Sequence, residues 1–390
     1  MAWLGAVLAA VLIIVVFIDT FEAMILPRRV RHGYRLAPLF YRSAWLLWGG
    51  VARLLPAGRW RQGLLGIFGP LSLFLLVGVW AAGLITGFAL LHWSMGTALS
   101  LPATTDDSFA TYLYFSGTTF FTLGYGDVVP TGGWGRMLSV VEAGIGFGFL
   151  AVVISYLPVL YQAFSRREIA ISLLDARAGS PPTAGELLRR LAESRNRVPG
   201  VPACAGAGPL LADWERWAAE LLESNLSYPV LSYYRSQHDN QSWLAALTTI
   251  LDTSAFLITS VESPDGYQAR LTFAMARHAA VDLGLVFLQG PPLPPDPDRL
   301  PPNELARLRE SLHQVGLEVT SGPEVTQALT ELRALYEPIV NALAAHFRLA
   351  LPPFQPEKPP VDNWQTSPWM PRSPGLGSLS AAGAGDEHFD

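Results

Sequence analysis

Three long apolar stretches fall within the first 165 residues of this 390-residue chain, and they limit its fold more than any other feature. They are Ala2–Leu26, Leu64–Trp93 and Met137–Phe164. Each matches the roughly 20 apolar residues that a helix needs to cross a bilayer. The first carries Asp19 and Glu22 near its end, the second no Asp, Glu, Lys or Arg, and the third only Glu142. Ala2–Leu26 lacks a basic leader, its apolar run is longer than that of a cleaved signal peptide, and Arg28 and Arg29 follow it, so it reads as a retained helix. Beyond residue 165 the composition is that of a soluble protein, although only 15% of the whole chain is charged, against about 25% in ordinary soluble proteins. A net charge of -5 gives no reason to expect a nucleic-acid partner. Cys204 stands alone, which rules out an intrachain disulfide or a multi-cysteine metal site.

Arginine placement predicts the orientation. Pro27–Gly63 holds eight arginines, whereas Ser94–Trp134 holds no Lys or Arg. Basic loops stay cytoplasmic, so the N-terminus and Ser94–Trp134 are expected outside and everything after Ser165 inside. Arg166 and Arg167 mark that exit. Trp45 and Trp48 in the basic segment suit either a short interfacial helix or an ordinary connecting one. Voltage sensing needs arginines at every third position of an apolar helix, and the three spans contain none.

The segment between the second and third spans is more than a loop. Asp106, Asp107 and Ser108 are helix N-cap types, and FATYLYFSGTTFF follows them. A helix of about 14 residues, ~21 Å, is too short to cross, so it must dip into the membrane and stop. Non-helical backbone at that depth survives only when packed in protein or lining a watery path. The next residues, Thr122-Leu123-Gly124-Tyr125-Gly126-Asp127, suit the watery path. A dehydrated cation needs stacked oxygens, and backbone carbonyls supply them when successive residues alternate in conformation, including positive φ. Gly124 and Gly126 adopt positive φ without steric cost. The Thr122 hydroxyl can add a lower ring of oxygens, and Tyr125 can wedge outward to brace the backbone. The short helix aims its partly negative C-terminal end at the membrane centre.

Thr119-x-x-Thr122-x-Gly124-Tyr125-Gly126-Asp127 resembles the potassium-channel signature, with Leu123 where Val is commoner. Pro130 and Trp134-Gly135-Arg136 extend the resemblance to bacterial two-helix potassium channels, over about residues 65 to 165. The resemblance implies an all-α membrane protein of the pore-loop class: outer helix, pore helix, selectivity filter and inner helix. It further implies a homotetramer in membrane lipid, with K⁺ as permeant ion, no cofactor and no catalytic residue. Carbonyls of Thr122, Leu123, Gly124 and Tyr125 would coordinate K⁺, supported by Thr118, Thr119, Gly126 and Asp127. Some relatives carry Glu immediately before the TxxT run, where this chain has Thr118, so Asp127 is expected to lack that partner.

Gly146, eleven residues past Gly135, matches the family's gating-hinge glycine. Gly144 and Gly148 beside it fit close helix packing instead. Pro158 frees a backbone carbonyl one turn earlier and suits a kink, at an inner gate or simply at the membrane exit. Glu142, an ionisable group inside a membrane helix, is a functional candidate by default. It is expected either to hydrogen-bond the pore helix behind the filter or to sit protonated there, which also makes it a candidate pH sensor. Asp19 and Glu22 are expected to pair with Arg28 and Arg29.

The expected organisation is therefore an N-terminal transmembrane helix (1–26), a basic cytoplasmic loop (27–63), a channel pore domain (64–165), a mostly helical cytoplasmic domain (166–351) and a disordered tail (352–390). Within the cytoplasmic part, helices are predicted at Glu186–Arg195, Ala212–Leu226, Gln241–Val261, Gln268–Leu288, Pro302–Val315 and Pro323–Arg348. Gly/Pro-rich stretches at Val198–Pro209 and Gly290–Pro302 separate some of them, the second reading as polyproline. Gln241–Val261 is apolar enough to pose as a fourth span, but Asp252 and its many hydroxyls favour a buried helix. No strand precedes a G-x-G-x-x-G, and no EF-hand loop is visible. His238-Asp239 with His278 and Asp282 are the residue types of helical metal phosphohydrolases. Three readings follow: a K⁺-selective channel subunit, a weakly selective cation channel, and a membrane-anchored metal-dependent hydrolase with a vestigial pore.

Overall fold

The computed structural model describes residues 2–25, 36–56, 58–102, 106–196, 207–237, 241–288, 290 and 298–356. They are overwhelmingly helical and divide into two compact units between Gln162 and Ala163. The described residues form an all-α fold in which several helices are long and apolar enough to cross a membrane.

In the first unit α1 (Ala2–Met24) packs along α3 (Arg59–Ser94). The contact is close because α3 offers glycines: a Cβ on Gly83 would lie 3.0 Å from Val16, and one on Gly87 would lie 2.7 Å from Ile13. Gly83 and Gly87 are four apart, the spacing that lets two membrane helices approach without side chains between them. The outward faces of both helices remain apolar and exposed, as at Ile14, Ile18, Phe74 and Leu75.

Part of the expected basic loop is helical: α2 (Leu36–Arg53) packs on α3. Trp45 is buried edge-on against Phe68 at 4.8 Å, and the Trp48 indole donates to the Leu64 carbonyl at 2.9 Å. Both tryptophans thus serve helix packing. Asp19 is buried and takes no arginine among the described residues. It accepts from the amides of Leu36 (2.9 Å) and Ala37 (3.1 Å) and from the Trp80 indole (2.8 Å). A carboxylate at the N-terminus of α2 satisfies amides that have no partner within the helix. The expected partners Arg28 and Arg29 lie outside the described residues.

After α3, β1 (Leu99–Ser100) pairs antiparallel with β2 (Val129–Pro130). They bracket α4 (Phe109–Phe120) and the six residues expected to form the ion path. α5 (Gly133–Ala178) is one 46-residue helix, about 69 Å long. It extends past the predicted end at Phe164 and runs on through Pro158, so the proline does not end it.

In the second unit α6 (Ala184–Asn196), α9 (Gly266–Phe287), α11 (Pro323–Ala334) and α12 (Glu337–Phe347) pack against α8 (Trp243–Ser260), while α7 (Ala207–Ser227) packs on α9 and α10 (Pro302–Gln314) on α6. The helix predicted over Pro323–Arg348 is two helices, because Pro338 lies in the first turn of α12 and disfavours helical backbone before it. α8 is buried on nearly every side. Two of its hydroxyls find local acceptors: Thr248 donates to Leu244 O and Thr253 to Thr249 O, both at 2.7 Å. Asp252 accepts two bonds from Arg299 at 2.8 Å and one from the Tyr336 hydroxyl at 2.5 Å. Burial, with Asp252 alongside, holds the Tyr336 phenol well above its ordinary pKa. Arg299 also reaches Glu337 and the Pro352 carbonyl, and Phe354 is buried. Residues 352–356 therefore belong to the packed unit, which corrects the tail boundary. The expected stretch at Val198–Pro209 lies outside the described residues up to 206, and from Ala207 it is already α7, with Pro209 in the first turn. Most of Gly290–Pro302 lies outside the described residues.

Candidate functional site

α4 begins where Ser108, with extended backbone, occupies the N-cap position. The Thr111 hydroxyl donates to Asp106 O at 2.7 Å, and Tyr112 OH donates to Thr97 O at 3.0 Å. At 12 residues, about 18 Å, α4 is too short to cross a bilayer. Its end winds directly into the next segment: Phe121 N bonds Gly117 O (3.1 Å), Thr122 N bonds Thr119 O (3.0 Å) and Leu123 N bonds Thr118 O (2.8 Å). The last carbonyls of α4 are satisfied by the first amides beyond it.

Positive φ then recurs at every second residue: Thr122 (56°), Gly124 (55°) and Gly126 (80°). The glycines were expected to adopt it; Thr122 was not. A β-branched residue held there costs of order 1–3 kcal/mol and persists only where its surroundings fix it. Leu123 and Tyr125 are exposed in the chain by itself. The Thr118 hydroxyl turns back to Phe115 O at 2.9 Å and so does not serve Asp127. Asp127 has a partner nonetheless, since Tyr114 OH donates to its Oδ2 at 2.8 Å. The expectation that Asp127 goes without the usual acid holds, but a tyrosine six residues nearer the start of the run than Phe120 takes its place.

Beyond Asp127, the β1–β2 pairing, the Thr131 N to Ala98 O bond (2.9 Å) and the Arg136 Nε to Pro130 O bond (3.1 Å) pin the exit of the segment. Gly135 fits against Thr97 and Pro130, where a Cβ would lie 2.5 Å from Thr97 Cγ2.

Behind α4, Glu142 meets the Ser116 hydroxyl through Oε1 and faces His92 Nε2 at 3.5 Å through Oε2. All three side chains are fully buried. Gly146 packs against the end of α4, where a Cβ would lie 2.0 Å from Phe120 O. Nothing lies within 4 Å of a Cβ on Gly144 or Gly148. Within the single chain the closely packed glycine is thus Gly146, and Gly144 and Gly148 are open. Pro158 lies twelve residues further along α5 and joins neither group.

His278 and Asp282 face each other at 3.9 Å on α9, with His278 exposed. His238 and Asp239 lie outside the described residues, and no group of three potential metal ligands is found among the described residues.

His92, Tyr114 and Ser116 were missed in the sequence. A lone histidine in the last turn of an apolar helix, opposite a lone glutamate in the next span, is a signal for the first. Ser116 and Phe120 are one turn apart, as are Glu142 and Gly146, and that matched spacing is a signal for the pairing of α4 with α5. Tyr114 is one aromatic among several and carries no such mark.

Comparison with known proteins agrees with this segment. A family model described as "Ion channel" matches residues 74–162. Protein LctB of Bacillus caldotenax is 33% identical over 93 residues, covering 22% of this chain and 68% of that protein. The uncharacterized membrane protein YdjJ of Bacillus subtilis is 28% identical over 232 residues, 58% of this chain and 62% of that protein. The chain therefore spans less than two thirds of YdjJ's length. No solved structure matches.

Proposed function

The chain belongs to an ion-channel family through its segment 74–162, and from that premise we propose that it is a potassium-selective channel subunit whose Thr122–Asp127 run is the selectivity filter. The observation that carries this reading is the alternation of positive φ at Thr122, Gly124 and Gly126. Alternating backbone hands turn successive carbonyls toward one side, which is what a ladder of oxygens for a dehydrated cation requires. In this reading the carbonyls of Thr122, Leu123, Gly124 and Tyr125 are the ligands. Gly126 provides the turn, and Tyr114 with Asp127 holds the outer end. One chain contributes one such strand, so four copies surround the ion.

The remaining parts take roles consistent with that reading. α3 is the outer helix, α4 the pore helix and α5 the inner helix. The N-terminus of the chain and the filter mouth face outward, and the residues after Ser165 lie in the cytoplasm. Gly146, seated on the end of α4, and Pro158, further along α5, are where the inner helix would flex. The family is one of channels, so the hydrolase reading has no support beyond the exposed His278–Asp282 pair.

The test is flux through the purified full chain in liposomes. K⁺ is expected to pass far faster than Na⁺, and equal rates would overturn the selectivity claim. Gly126→Ala, which forces a side chain onto a φ of 80°, is expected to abolish K⁺ flux while the tetramer persists; normal conduction would remove the filter from this segment.

A further inference from the structure

The wall behind α4 holds three polar side chains with no exposure at all, His92, Ser116 and Glu142, one from each of α3, α4 and α5. Groups of this kind are costly to bury unless they meet one another. They do. The Ser116 Oγ stands within hydrogen-bonding reach of Glu142 Oε1 and of the Ile85 carbonyl oxygen on α3, the latter at 2.8 Å. With one proton it donates to either. His92 Nδ1 is 3.1 Å from Thr97 Oγ1, and the ring lies edge-on to Phe115 at 5.2 Å. That leaves His92 Nε2 and Glu142 Oε2, which have no other hydrogen-bond partner and face each other at 3.5 Å.

The placement of this cluster gives it mechanical meaning. Ser116 and Phe120 are one turn apart on α4, and Glu142 and Gly146 are one turn apart on α5. Ser116 meets Glu142 and Phe120 meets Gly146, so the two helices touch at two successive rungs. Between those rungs lie Gly117, Thr118 and Thr119, whose carbonyls hold the amides of Phe121, Leu123 and Thr122. The strained φ of Thr122 follows at once. A shift of α4 against α5 would therefore pass directly into the first filter residues.

We infer that Glu142, with Ser116 and His92, is a positioning brace that holds α4 against α3 and α5 and thereby keeps the filter in its ion-selective geometry. The inference rests on the filter reading above. Glu142 touches no permeating ion. It acts through Ser116 and the last turn of α4, and His92 anchors its second oxygen to the outer helix.

The experiment compares wild type, Glu142→Ala, Glu142→Gln and Ser116→Ala as full chains in liposomes, reading the K⁺/Na⁺ flux ratio alongside the tetramer fraction. Glu142→Ala is expected to lower the ratio about tenfold, since it leaves buried partners unsatisfied. Ser116→Ala is expected to lower it less. Glu142→Gln, whose amide can both accept from Ser116 and face His92, is expected to restore most of it. A double Glu142→Ala/Ser116→Ala chain should be no worse than Glu142→Ala alone, because the two act as one unit. A Glu142→Ala tetramer with the wild-type ratio overturns the brace. If Glu142→Ala does not assemble, a Ser116→Ala tetramer with the wild-type ratio overturns it instead. A wild type that passes both ions equally overturns the filter reading itself, which is a separate result from a selective wild type with unaltered variants.

Discussion

α3 and α8 meet the same test of length and apolarity for crossing a membrane, yet they lie in opposite surroundings. α3 packs one side against α1, α2 and α4 and leaves Phe74, Leu75 and Val79 exposed. α8 is enclosed by other helices and leaves almost nothing uncovered. Their polar groups differ accordingly. α3 buries the Ser72 hydroxyl and one imidazole, His92, whereas α8 carries Asp252 and a row of hydroxyls, most of them answered by protein. Apolarity reports that a helix must leave water. Whether lipid or protein receives it depends on whether its faces find partners, and on whether its charges find opposite charges.

The comparison breaks most easily at Arg299. Arg299→Ala would leave Asp252 buried without its cation and Glu337 with Arg333 alone, a loss of about 3–5 kcal/mol. A thermal melt followed by circular dichroism on the purified full chain should show the helices of the second unit unfolding at clearly lower temperature. An unchanged melt would mean that α8 does not depend on its ion pair. Phe74→Asp tests the other helix. Facing lipid, it should cost about 2.5–3.5 kcal/mol of insertion, read as the fraction of chain resistant to alkaline extraction from membranes. Full integration would place that face against protein or water. The smallest effect is expected for Thr253→Val on α8, which removes a hydroxyl that only back-bonds to Thr249 O at 2.7 Å. The change should stay below about 1 kcal/mol in the same melt. A larger loss would show that the hydroxyl row does more than satisfy itself.

Much of the first unit was legible from sequence. The spans, the short helix and the alternation at Gly124 and Gly126 follow from apolar runs and local backbone preferences, which act over a few residues. What surrounds them did not follow. Asp19 caps α2 and binds Trp80, 61 residues distant, two partners that no local pattern announces. Asp127 was expected to lack the acidic partner some relatives carry, and the tyrosine that donates to it, Tyr114, was not foreseen. The split between α11 and α12 was readable in principle from Pro338, because it is a local effect. The tail boundary was not, because what orders Pro352 and Phe354 is the distant Arg299 and a buried pocket, not their own composition.

The glycine cluster on α5 separates the two kinds of knowledge. Gly144, Gly146 and Gly148 have equal local freedom, so sequence alone determines that α5 is supple there and that close approach is possible. It cannot say which one is approached. Only packing against the end of α4 decided that Gly146 is the filled position, with the Phe120 carbonyl where a side chain would stand. The same holds for Glu142. Its chemistry inside an apolar helix was determined by its identity, while its partners Ser116 and His92, 26 and 50 residues away, were decided by how three helices meet. Dihedral preferences and water exclusion are local energies written residue by residue. Partner choice is a property of surfaces that exist only after the helices have packed.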